Sequence, residues 1–350
     1  RDRIDYDRLK ISSKTSASNA TVNTKTNVMT VENVKGVELS PIHRVAMVPA
    51  NRKLRIMKDR SMGMDGNMFA GLASFEGRGL NFNYAQFSVE MDSVRYMDFF
   101  IPPTNGSKEP IGLSSRLENG NGTLLIDAPG NKSAQEAIPL FPSFTSDRPF
   151  SIFYDRAQDS SYARSEFYFQ LDKFGFNSLD SFTIEDVNFE GELFSQSIFE
   201  PFKEVIMVQK DDYSLGFVSN TGVSGKRLYN GKGVFTGDIT LNNTGLTGVG
   251  KVEYLESILE AEDIVFRPNE LTGTSEELNI EPSSNVPNAT GTNVLVKWIP
   301  YRDSMIYQSQ ETPFQLYSND QAALTGFLHL GPRGLTGSGT LDFDQGVLTS

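Results

Sequence analysis

Two histidines, His43 and His329, are the only imidazoles in the 350-residue chain. Any serine–histidine–aspartate arrangement must use one of them. His329 falls on a strand face that varies between two internal copies and reads as a surface histidine. His43 follows Ser-Pro-Ile in a turn-like stretch, and its surroundings in sequence suggest no chemistry. There is no cysteine, which excludes disulfides, zinc-thiolate sites and thiol nucleophiles. Metal clusters built on histidine are excluded as well.

Carboxylates are abundant, and a glycosidase needs only two. The candidates are Asp180, Asp211 and Asp212 in QKDDYSLGF, and Asp342 and Asp344 in LDFDQG. Asp342 recurs as Glu253 in the other internal copy, which marks a solvent-side strand position. Asp-x-Asp can bind calcium, but the twelve-residue oxygen-rich loop is missing. GRGLNF and GVSGKR lack the strand–loop–helix context of a phosphate cradle. No metal and no cofactor are expected.

The aromatic candidates for ligand binding are Trp298, Tyr301 and Tyr307, in VLVKWIPYRDSMIY. An exposed group of this kind would suit a sugar ring. A core tryptophan of a β-sandwich fits the same residues and is the favoured reading.

The elements around these residues are written in a repeated phrase. FTGDITLNNTGLTGVGKVEY begins at Phe235, and LTGFLHLGPRGLTGSGTLDF begins at Leu324, an offset of 89 residues. Eight of the twenty paired positions are identical and five more are conservative, which defines an internal repeat. Phe235, Gly237, Ile239 and Leu241 alternate with Thr236, Asp238 and Thr240. Leu246, Gly248, Gly250, Val252 and Tyr254 then share a face. Period two predicts half-buried strands, and NNTG and GPRG are turn chemistry. Each phrase is thus expected to be a hairpin with one apolar face. Glycines on that face are expected to make room for aromatic rings or a bend, with a backbone-lined ligand groove as the alternative. A further strand with Ile258, Ile264 and Phe266 follows the first copy, and RPNELTG reads as its closing turn.

Alternation recurs at Leu80, Phe82 and Tyr84, then at Phe87, Val89 and Met91, and a Phe-x-Gly step recurs near Phe189. Long helices are not expected. With 30 glycines and strands every ten to twelve residues or so, the expected fold is all-β. Repeated antiparallel hairpins and meanders would form an elongated curved sheet or a β-sandwich array. Three segments are expected: 1–105, 106–205, and a repeat region 206–350. The chain opens without an initiator methionine or signal peptide, and its second copy stops part-way through the repeat. Both features suggest a piece of a longer protein.

The net charge of −12 and scattered basic residues disfavour nucleic acid as a partner. No apolar run reaches the roughly 18 residues of a membrane span. The GxLxLxxxGLxGxGxLxF phrase resembles the repetitive β-sheet segments of long Gram-negative envelope proteins. It is similar to the AsmA/TamB-type lipid-transfer family, whose curved sheets form an apolar trough. The resemblance implies a periplasmic or cell-surface location and a protein, lipid or glycan partner, and it transfers no site residues. The leading expectation is a non-enzymatic structural or partner-binding segment. The alternatives are a lipid-conducting groove and a carbohydrate-binding or glycoside-cleaving module.

Overall fold

A computed structural model of the chain describes residues 9–14, 18–102, 110–155, 161–317, 321–343 and 346–349. Among them are 29 strands, two 3-10 turns and no α-helix. The chain is all-β, and its ladders are antiparallel meanders. No helix among the described residues is long and apolar enough to cross a membrane.

The strands gather into two compact units. The first holds residues 1–153, 169–192 and 205–215; the second holds 154–168, 193–204 and 216–350.

In the first unit, Met62–Ala70 pairs with Ala73–Asn83, which pairs with Ser88–Ile101, which pairs with Leu117–Leu125. The inward residues build a phenylalanine core. Phe75 meets Phe144 with ring centroids 5.1 Å apart, and Phe99 meets Phe176 at 5.1 Å and Phe189 at 5.8 Å. Each such ring, taken fully out of water, contributes roughly 1.5–3 kcal/mol.

In the second unit the first repeated phrase is a hairpin, Gly233–Asn242 with Gly245–Tyr254. Ser257–Phe266, Leu271–Ile280 and Ala289–Ile299 add in turn. Ser304–Gln308 then leads to the second hairpin, Ala322–Gly331 with Gly334–Phe343, and to the short strand Gly346–Thr349. Period-two alternation becomes burial as expected, with Phe235, Ile239, Leu241, Leu246 and Val252 each 0% exposed. Ser257–Phe266 departs from simple alternation. Its register shifts between Ala261 and Ile264, a bulge that returns Ile264 and Phe266 to the face already occupied by Leu259 and Ala261.

Candidate functional site

Trp298, Tyr301 and Tyr307 do not form an exposed platform. Trp298 is fully buried and packs against Tyr229 at 4.9 Å and Tyr254 at 4.7 Å between centroids. A Cβ on Gly233 would lie 2.7 Å from the Trp298 ring, so the glycine is what admits the indole. Tyr307 is also fully buried, and its hydroxyl donates to Ser257 Oγ at 2.6 Å. Tyr301 alone is exposed, on the 3-10 turn Pro300–Arg302. The strand Ala289–Ile299 turns Trp298 inward, and the aromatic spacing therefore serves the core.

His43 acquires partners that its sequence neighbourhood did not suggest. It sits in the turn between Val34–Ser40 and Val45–Pro49 and is 7% exposed. Its Nδ1 lies 2.9 Å from Asp180 Oδ2, and its Nε2 lies 3.3 Å from Asp127 Oδ2. Asn131 donates to the same Asp127 oxygen at 2.9 Å. With a carboxylate on each ring nitrogen, His43 has no nitrogen left to activate a serine. The imidazole stands between the two carboxylates, one on each ring nitrogen. Among the described residues no group of His, Asp and Glu could hold a metal ion. A cleft of about 480 Å³ lined by Ile42, Arg44 and Glu136 adjoins the cluster. The arrangement acts as a polar rivet joining three segments.

The remaining carboxylate candidates are dispersed. Asp212 Oδ1 accepts from the Ser214 N–H at 2.9 Å and closes a turn, while Asp211 and Asp342 are exposed. Asp344 lies outside the described residues. His329 is half-buried beside Phe327, with ring centroids 6.4 Å apart.

The strongest site emerges from comparing the two hairpins. In the first, Leu246, Val252 and Tyr254 are 0%, 0% and 3% exposed. Their counterparts Leu335 and Leu341 are only half-buried, and Phe343 is 36% exposed. The cause is the next strand. In the first copy Ser257–Phe266 runs alongside Gly245–Tyr254 as far as the Leu246–Phe266 pair. Phe266 then packs its ring on Phe235 and Phe199, at 5.2 Å each. In the second copy Gly346–Thr349 pairs only with Thr340–Phe343. Residues 336–339 have no strand on that side among the described residues.

The turn ends match more closely. The Tyr162 hydroxyl accepts from Leu246 N at 3.0 Å and donates to Phe266 O at 2.7 Å. Over the second turn the Asn285 carbonyl accepts from Leu335 N at 3.4 Å. Between that turn and Gly346–Thr349 lies an apolar groove of about 440 Å³, walled by Leu324, Leu328, Leu335, Gly337, Leu341 and Leu348. Leu324 and Leu328 form its floor, at 4% and 2% exposed, and Leu348 stands at its rim at 60%. Such a groove can hold an apolar side chain, and the adjoining edge can accept a strand. The repeat offset was the one sequence signal that could have located it.

Comparison with protein-family models, with characterised proteins and with solved structures finds no match for this chain.

Proposed function

We propose that this chain is a non-enzymatic β-repeat segment with a structural or partner-binding role, and that the half-buried face of its second hairpin receives a further strand, whichever polypeptide supplies it. The observation that carries this reading is the pair of unequal copies. Equivalent apolar residues are sealed in the first hairpin and open in the second, while the backbone register is the same in both. The filled interior of the first copy supports closed packing over a continuous lipid trough. The burial of Trp298 and Tyr307 supports a binding role over a sugar platform. An exported, envelope-associated setting rests on the resemblance of the repeated phrase to envelope β-repeat proteins.

The test is a double substitution, Leu335→Asp with Leu341→Asp. If the face is open to a further strand, the melting temperature of this chain moves by no more than a few degrees and binding of an apolar fluorescent dye falls several-fold. A collapse of the fold would show that the face belongs to the core and would end the proposal.

A further inference from the structure

Three cations converge on one cleft of the first unit. Lys14 follows the strand Lys10–Ser13, Lys35 lies on Val34–Ser40, and Arg52 stands in the turn after Val45–Pro49. Together with Asn33 they line a cleft of about 500 Å³, whose other walls are Val34, Val48, Pro49 and Ala50. Main-chain hydrogen bonds tie the three segments together. Lys14 N donates to Asn33 O at 3.1 Å, Val34 N to Arg52 O at 2.9 Å, and Arg52 N to Pro49 O at 3.2 Å. The backbone therefore sets where the charges stand. No carboxylate lines the cleft. The nearby acidic side chains engage other lysines, Glu32 with Lys53 at 2.9 Å and Glu38 with Lys10 at 4.0 Å. Lys14, Lys35 and Arg52 have no ion pair among the described residues. In a chain of net charge −12, such a group is a local reversal of sign. Like charges held near one another repel, and an anion between them relieves that repulsion.

We propose that this cleft is an anion site for a phosphate group, held by the Arg52 guanidinium and by the ammonium groups of Lys14 and Lys35. The kind and number of donors favour phosphate over a carboxylate. A guanidinium presents a planar fork that matches two phosphate oxygens, and an ammonium acts as a point charge on a third. A single carboxylate neutralises one cation of the three, whereas a phosphate or diphosphate neutralises two or more. The Asn33 side chain lines the same cleft and adds neutral hydrogen-bonding groups. A soluble phosphate compound and the phosphate of a lipid headgroup present the same chemistry to these residues. The site lies wholly in the first unit and stands or falls separately from the second hairpin.

Two probes are titrated into the whole chain at about 0.1 M ionic strength, where charges more than about 10 Å away are largely screened. One is inorganic pyrophosphate, followed by calorimetry. The other is a phosphatidylcholine vesicle carrying phosphatidic acid, followed by co-sedimentation against phosphatidylcholine alone. Saturable binding of pyrophosphate supports the site and identifies a soluble phosphate compound as its occupant. Binding to the phosphatidic acid vesicles alone supports the site and identifies a headgroup. In either case Lys35→Gln and Arg52→Gln are each expected to weaken binding at least tenfold. Both side chains are exposed, so the circular dichroism of the variants is expected to match the parent. Lys210→Gln removes the same charge from an exposed position outside the cleft and is expected to leave binding unchanged. Failure of both probes overturns the proposal, as does an equal loss in Lys210→Gln, which would show diffuse charge at work. Acetate binding as tightly as pyrophosphate overturns the assignment to phosphate.

Discussion

Gly237 faces Gly250 across the first hairpin, and the two hold φ at +148° and +149°. Gly326 faces Gly339 in the second hairpin in the same way, at +143° and +129°. A Cβ on Gly237 would lie 2.2 Å from Val249 O, and one on Gly250 2.3 Å from Thr236 O. The repeated glycines therefore have two separate causes. This pair answers to backbone conformation and the approach of two strands, and Gly248 answers to aromatic rings.

Gly237→Ala is expected to destabilise the protein by at least roughly 1–3 kcal/mol, the cost of a strained backbone conformation, with the steric clash in addition. Gly130→Ala, where no atom lies within 4 Å of the new Cβ, is expected to stay within about 0.5 kcal/mol of the parent. Urea midpoints measure both, and equal midpoints for the two variants would refute the strain argument.

Trp298 is the only tryptophan, so its fluorescence reports the core of the second unit. Its emission is expected to be blue-shifted and shielded from acrylamide, and to shift red on unfolding. Trp298→Ala is expected to cost about 3–5 kcal/mol through the cavity it leaves. Emission typical of solvated indole in the native protein would contradict the burial.

His43→Leu leaves Asp127, 1% exposed, without its imidazole partner. A buried acceptor that loses a partner costs about 1–3 kcal/mol. The expected result is a lower denaturation midpoint, partly restored when Asp127→Asn removes the stranded charge. A double variant no more stable than His43→Leu alone would show that the rivet is not electrostatic.

Burial raises the pKa of three tyrosines in the second unit. Tyr254 is pushed up to about 12 by desolvation and by the negative charges of Asp303 and Glu256. Tyr307 is raised by complete burial, although its bond to Ser257 works the other way, and Tyr229 is raised mainly by burial. Below pH 10 these phenols are protonated in folded and unfolded chain alike, and their contribution to stability is intact. From pH 10 to about 12 the unfolded tyrosines ionise first, so stability falls across that window. Urea midpoints followed by circular dichroism against pH are expected to fall across that window. Tyr307→Phe is expected to move the transition to higher pH. Stability that does not change between pH 10 and about 12 would count against buried phenols.

The strands, the hairpin turns and the 89-residue equivalence were legible in the chain itself. Period-two alternation and turn residues act over a few positions, and pairing across a tight turn follows from them. The same local pattern determined which residues of Gly233–Asn242 face inward. It could not determine what those residues meet. Leu246 and Leu335 have the same neighbours in sequence, yet one is sealed and the other open, because Phe266 covers the first from a separate strand. Asp127 and Asp180 reach His43 across 84 and 137 residues of chain, and the aromatic spacing around Trp298 reads alike for a platform or a core. Burial and charge pairing depend on what the rest of the chain brings to a surface, and only the tertiary structure supplies that.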